Sequence, residues 1–195
     1  FLIESELIHS FPQPIFRGLA FLCSNRLNPM HIHHLDYGLL TFGQVSGETD
    51  LTSIDVFKSF MMSLSMCQFD DDIHRSIWEK LIWNVPFNSL SVIYGGCSTL
   101  QLLNDEFIRT RIQHIMNEVI EIAKFDGYFF EISIIDLKLK QTERMVPYNT
   151  SMCLDFLANR EMELDAILGH LLQFSKKNNY ESVHIQKLFD EIVNS

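Results

Sequence analysis

The stretch Trp78-Glu-Lys-Leu-Ile-Trp-Asn-Val-Pro-Phe-Asn-Ser-Leu90 constrains this chain most, because it sets three polar side chains in an otherwise apolar helical pattern. Lys80, Asn84 and Asn88 follow one another at four-residue steps. At roughly 100° per residue, each step drifts by only about 40°, so the three project as one stripe. Leu81, Ile82, Trp83, Val85, Phe87 and Leu90 fill the rest of the circumference, and a helix apolar most of the way round belongs inside a protein. The stripe must then line a cleft or find partners. Pro86 removes a backbone donor and crowds the preceding turn, which predicts a kink near Ile82–Trp83 and a freed carbonyl. Taken singly each member is ordinary: a helical Lys commonly snorkels, and a helical Asn commonly caps or faces water. On these residues alone the ordinary and the functional readings both stand open.

The 195 residues are 47 % hydrophobic and 12 % aromatic, enough for one substantial core or two small ones. A net charge of −10 without a basic block gives no footprint for nucleic acid or an anionic membrane surface. No apolar run approaches the roughly 18–20 residues of a membrane span. The start carries Glu4 and Glu6 in place of a basic signal-peptide region. Cys23, Cys67, Cys97 and Cys153 are scattered without a CxxC pair, as expected of reduced thiols in a cytoplasmic protein. The chain opens at Phe1 in mid-pattern, and the expectation is that further sequence precedes it.

Periodicity predicts a short helix over 1–10, a Pro-containing turn at Phe11–Pro14 and a strand from Ile15 to about Cys23. Asn28-Pro29 punctuates, His31–His34 and Tyr37–Val45 read as a hairpin bending near Asp36 and Gly38, and Ser46–Thr52 reads as a polar loop. Thr52 or Ser53 is expected to cap a helix running to Ser65. A short strand at Met66–Phe69 leads to Asp70-Asp71-Asp72, whose charges suit a helix start. Helices are then expected at 72–93, 104–125, 131–144, 151–158, 160–177 and 184–193, with Asn104 or Asp105 as a cap and Asp126-Gly127 as a terminator. The boundary falls near residue 66, between a β-containing part (1–66) and an all-α domain (67–195).

Two further polar groups invite chemistry. In His31-Ile-His33-His34 the flanking histidines of an HxH share a strand face, a weak metal signal without a Cys or acidic partner. Thr150 and Ser151 stand at a helix entry, where free amides suit a carboxylate. Glu163 lies among Met162, Leu164, Ile167 and Leu168, so it is expected buried, and a buried Glu163 and Lys80 would answer each other's charge. Jointly, an ammonium acid, amide donors, a hydroxyl and a carboxylate could bind and protonate a small keto acid. Alone, Ser151 is an N-cap and Glu163 a surface residue.

Lys80-Leu-Ile-Trp-Asn84-Val-Pro-Phe-Asn88-Ser-Leu-Ser-Val-Ile-Tyr-Gly-Gly96, Ser151-Met152 with Asp155, and Arg160, Glu163 and Asp165 resemble the C-terminal domain of the ketopantoate reductase (2-dehydropantoate 2-reductase) family. Its signature is Lys-x3-Asn-x3-Asn, then Ser-Met-x2-Asp, then Arg-x-x-Glu-x-Asp, and the likeness runs over most of residues 14–193. The resemblance implies a mostly α chain: the end of a truncated Rossmann (α/β) domain, then an all-α domain like that of 6-phosphogluconate dehydrogenase. It also makes His31–His34 part of the nucleotide domain's last strands and not a metal site.

The implied activity is NADPH-dependent reduction of ketopantoate to pantoate in pantothenate and coenzyme A biosynthesis. By the same resemblance Lys80 is the general acid, Asn84, Asn88, Ser98, Tyr148 and Ser151 contact substrate, and Glu163 and Ser24 contact the cofactor. The partner is then a small 2-oxo acid, with a homodimer as an option and no nucleic acid or membrane. The sequence departs from the family in having no Gly-x-Gly-x-x-Gly, so this stretch alone should bind NADPH poorly and be inactive by itself. Tyr148 replaces an amide found in some relatives. Another branched 2-oxo acid, or a non-catalytic helical dimerisation domain, therefore stays open as an alternative.

Overall fold

A computed structural model describes residues 3–11, 13–28, 30–47, 51–63 and 66–194. Residues 1–2 of the first expected helix, Pro12 and Pro29 of the turns, part of the 46–52 loop, and the Leu64–Ser65 helix end lie outside them. The chain forms two compact units, Phe1–Ile77 and Trp78–Ser195.

The first unit holds α1 (Ile3–Ser10), β1 (Ile15–Asn28), β2 (His31–Ser46), α2 (Leu51–Ser63) and β3 (Cys67–Phe69). The sheet order is β1-β2-β3, with β1 and β2 antiparallel and β3 parallel to β2. The expected hairpin within 31–45 is corrected: β2 is one continuous strand, and its hairpin partner is β1. The Asp36-Tyr37-Gly38 turn signal is absorbed as an irregularity, with the register shifting between Phe21 and Leu22 and Tyr37 at φ 59°. Pairing along the flanking residues outweighs the local turn preference. Leu51 is already helical, so Thr52 and Ser53 lie inside the first turn of α2 instead of capping it.

Phe42 is 2 % exposed and packs edge-on against Phe57 and Phe69, at 5.6 and 5.4 Å between ring centroids. Gly43 is required by close approach, since a Cβ there would lie 2.6 Å from Ile73 Cβ. The acidic run begins the next helix as expected: Asp70 accepts from the Asp72 amide at 2.9 Å and Asp72 from the Arg75 amide at 3.2 Å.

Helix α3 (Ile73–Ile93) leads into the second unit, which continues with α4 (Thr99–Leu103), α5 (Glu106–Ala123), α6 (Ser133–Arg144), α7 (Ser151–Leu157), α8 (His170–Lys177) and α9 (Val183–Val193). Ile112, Ile115, Met116, Val119 and Ile122 give α5 a buried stripe, and Asp105 caps it through the Phe107 and Ile108 amides. Gly127 ends that segment in the left-handed conformation, at φ 84°. The expected helix over 160–177 starts only at Leu164 and winds as a π-helix over Asp165–Gly169 before becoming α8. Among the described residues no helix is long and apolar enough to cross a membrane.

Candidate functional site

Helix α3 runs unbroken through Pro86, and around that position it is the centre of the second unit: Trp78, Ile82, Val85, Phe87 and Leu90 are fully buried. Two indole N–H groups anchor it. Trp78 Nε1 donates to Asp126 Oδ2 at 2.8 Å, and Trp83 Nε1 donates to Thr142 Oγ1 of α6, also at 2.8 Å. With this side held, Lys80, Asn84 and Asn88 share another face of the helix. Lys80 and Asn84 are half-buried, and Asn88 is 3 % exposed. Neither carboxamide, of Asn84 or of Asn88, has a hydrogen bond among the described residues. Neither amide is sealed off, so both are open to water or to a ligand along this face.

Sequence reading missed a fourth member of this face. Ser91 lies eleven residues beyond Lys80, about three turns on and roughly 20° round, and it is fully buried. Its Oγ donates to Asn88 O at 2.8 Å and lies 3.1 Å from Thr150 Oγ1. The signal was present, since an i, i+11 spacing returns to the same face, but a Ser among apolar residues reads as filler.

Thr150 brings the second predicted group here. It caps α7, its Oγ1 accepting from the Cys153 amide at 3.3 Å, and Ser151 is the first helical residue, exposed beside it. Tyr148 is 9 % exposed, and its carbonyl accepts from the Thr99 amide at 2.9 Å. Gly96 permits the close packing behind this: at φ 93°, a Cβ there would lie 2.6 Å from Leu157 Cδ2 of α7. Helix α3 therefore meets the 148–151 segment through a hydroxyl pair, and the turn after α3 meets α7 through a glycine contact.

Other candidates stand differently. Ser98 caps α4 in a capping box: its Oγ accepts from the Gln101 amide, and its amide donates to Gln101 Oε1 at 2.8 Å. Glu163 is exposed and precedes the helix, contrary to the expected burial, and among the described residues it forms no ion pair with Lys80. The irregular 160–163 segment moves it off the apolar face; Arg160 and Asp155 close that turn with an ion pair of 2.7 Å. Ser24 is half-buried on β1 opposite His34. The histidines at 31, 33 and 34 are all exposed, and the described residues hold no cluster of three metal-ligating side chains. All four cysteines are free; burial pushes Cys153 above the usual thiol range, the neighbouring Cys97 adding to it and the Ser91 hydroxyl opposing it.

Comparison with known proteins gives this arrangement its context. A 2-dehydropantoate 2-reductase from Nostoc sp. is 33 % identical over 196 residues, covering 97 % of this chain and 61 % of the relative. The crystal structure of 2-dehydropantoate 2-reductase from Geobacter metallireducens superposes with a TM-score of 0.88 at 29 % identity, covering 98 % of this chain and 64 % of that one. A D-mandelate dehydrogenase solved with NADH and anilino(oxo)acetate shares the fold, with a TM-score of 0.85 at 19 % identity, covering 98 % of this chain and 63 % of that one. The chain spans between one third and about three fifths of the length of the curated relatives it matches. Residues 72–193, which hold the whole Lys80-to-Glu163 set, match the family described as ketopantoate reductase PanE/ApbA C terminal, and the chain belongs to that family.

Proposed function

We propose that the polar face of α3 binds a small 2-oxo acid, most specifically ketopantoate, and protonates it as it is reduced to pantoate. The observation that carries this reading is the pair of carboxamides at Asn84 and Asn88, without protein partners among the described residues, beside a half-buried lysine on a helix whose Ile82, Val85, Phe87 and Leu90 are fully buried. Lys80 is assigned the proton transfer: its ammonium donates to the carbonyl oxygen as that oxygen becomes an alkoxide. Asn84 and Asn88 each offer two N–H donors and one acceptor for the substrate's oxygens and hydroxyl. Ser151, exposed at the start of α7, and Tyr148 are assigned to the carboxylate end. Ser98 is left out of the set, because its hydroxyl closes the α4 cap.

The hydride in this reaction is supplied by a pyridine nucleotide, NADPH by resemblance to the family. No Gly-x-Gly-x-x-Gly turn stands in these 195 residues, so they do not themselves fit the nucleotide's phosphates. Glu163 and Ser24 are the residues here assigned to its periphery, and the exposure of Glu163 leaves its carboxylate available to a ribose hydroxyl.

The test is NADPH oxidation by the protein from its full reading frame, with and without ketopantoate. Saturable turnover is expected, and Lys80→Ala should lower it by roughly 10²–10⁴-fold, the scale of a lost general acid. Unchanged turnover in Lys80→Ala removes Lys80 from the mechanism. Turnover with a different branched 2-oxo acid, and none with ketopantoate, keeps the chemistry and replaces the substrate.

A further inference from the structure

Two buried hydroxyls join α3 to the 148–151 segment. Ser91 Oγ donates its single proton to Asn88 O at 2.8 Å. With that proton on the carbonyl, Thr150 is the donor in the 3.1 Å contact between Ser91 Oγ and Thr150 Oγ1, and the Cys153 thiol also lies against Ser91. Thr150 Oγ1 in turn accepts from the Cys153 amide at 3.3 Å. The bonds run in one direction, from the first turn of α7 through Thr150 and Ser91 to the carbonyl of Asn88. Thr150 is 1 % exposed and Ser91 fully buried, so no water competes for them. At its other end the segment is held by the Thr99 amide on the Tyr148 carbonyl, at 2.9 Å.

The helix has no local need of this link. A buried Ser that bonds back to the carbonyl three residues earlier is already satisfied, and an Ala–Val pair would fill the same space. What the hydroxyls add is direction: an apolar contact allows the segment to slide, whereas two aligned hydrogen bonds fix its register against the helix.

We propose that Ser91 and Thr150 are positioning residues that hold Tyr148 and Ser151 in register with Lys80, Asn84 and Asn88. The proposal rests on the reading of that face as a 2-oxo acid site. A misplacement of the order of an ångström at a positioning group lowers efficiency by up to about a hundredfold.

The experiment compares Ser91→Ala, Thr150→Val and Thr150→Ser in the protein from its full reading frame, with ketopantoate kinetics, NADPH affinity and melting temperature as readouts. Ser91→Ala and Thr150→Val should each raise KM for the keto acid on the order of tenfold and leave NADPH affinity unchanged. Thr150→Ser, which keeps the hydroxyl, should restore KM, and the double variant should be no worse than the worse single one. A lower melting temperature with an unchanged KM in Ser91→Ala and Thr150→Val reduces the pair to a structural bond and overturns the proposal. If Thr150→Val does not fold, Ser91→Ala decides alone, since Ala is the best helix former. Lys80→Ala is measured in parallel. If it keeps its turnover, the site reading fails and the proposal with it. If it loses turnover while both hydroxyl variants keep the wild-type KM, only the positioning role fails.

Discussion

Replacing Asn88 with Leu separates a residue kept for ligand from one kept for the fold, because the two readings predict opposite signs. Leu reproduces the carboxamide atom for atom, with two methyl groups where Asn has its oxygen and nitrogen. Asn88 is 3 % exposed, and its amide has no hydrogen bond among the described residues and meets only solvent, so a structural role would leave it little to contribute. Exchanging a narrowly solvated amide for an apolar group of the same shape is neutral to stabilising, by up to about 1 kcal/mol. For a chain of this size, each kcal/mol moves the melting temperature by about 2–4 °C. The variant should therefore melt no lower in calorimetry, up to about 4 °C higher, and yet turn over ketopantoate poorly. A saturating 2-oxo acid should raise the wild-type melting temperature, by about 2.7 kcal/mol of stabilisation at a hundred times Kd, and leave the variant's unmoved. If Asn88→Leu melts lower instead, the amide serves the fold, and the argument from its unpartnered burial is refuted.

Two other predictions concern the frame around the site. Glu118 is 5 % exposed, and its two oxygens accept from the His184 and Ile185 amides at 3.1 and 2.7 Å, capping α9 in place of Ser182, which makes no side-chain cap bond. Glu118→Ala should cost about 2–4 kcal/mol, read as a lower urea midpoint with faster amide exchange at Ile185; an unchanged midpoint would show that α9 needs no cap. Cys23 is raised from 9.0 to about 11, mainly by burial and then by the charge of Asp36. A folded-state pKa above the unfolded one contributes stability below pH 9, and that contribution is lost as pH climbs from 9 towards 11. Urea midpoints across that window should fall less steeply in Cys23→Val than in wild type, and at neutral pH iodoacetamide should modify Cys67 and Cys97 before Cys23 and Cys153. Equal slopes, or early labelling of Cys23, would contradict this.

The helical unit was legible where one local rule decided the outcome. Periodicity placed α3 to within a residue, Asp105 and Gly127 bounded the helical segment between them, and the four-residue steps put Lys80, Asn84 and Asn88 on one face. Legibility ended where distant residues decide. The carboxylate that caps α9 comes from Glu118, sixty-six residues before the His184 amide it accepts, and no local pattern announces such a cap. The Asp36-Gly38 turn lost to strand pairing that its own sequence does not encode. Glu163 failed for a related reason: apolar neighbours at helical spacing predict burial only if the helix has already begun, and it begins at Leu164.

The same physics weighs a catalytic face against a purely associative one. A helical unit kept for dimerisation gains from apolar area and from polar groups that find partners within the chain or across the interface. On that account the face of α3 should be filled like the rest of the helix, where both indole N–H groups are bonded and Trp78, Ile82, Val85, Phe87 and Leu90 are fully buried. Instead it carries two carboxamides without protein partners, a lysine, and a buried hydroxyl linked to the segment where Ser151 is exposed. The carboxamides add little to the empty fold, and each of these groups is of use to a small molecule bearing a carbonyl and a carboxylate. A run of polar groups open to a small molecule, on a helix otherwise packed by large apolar side chains, is how a site differs from a core.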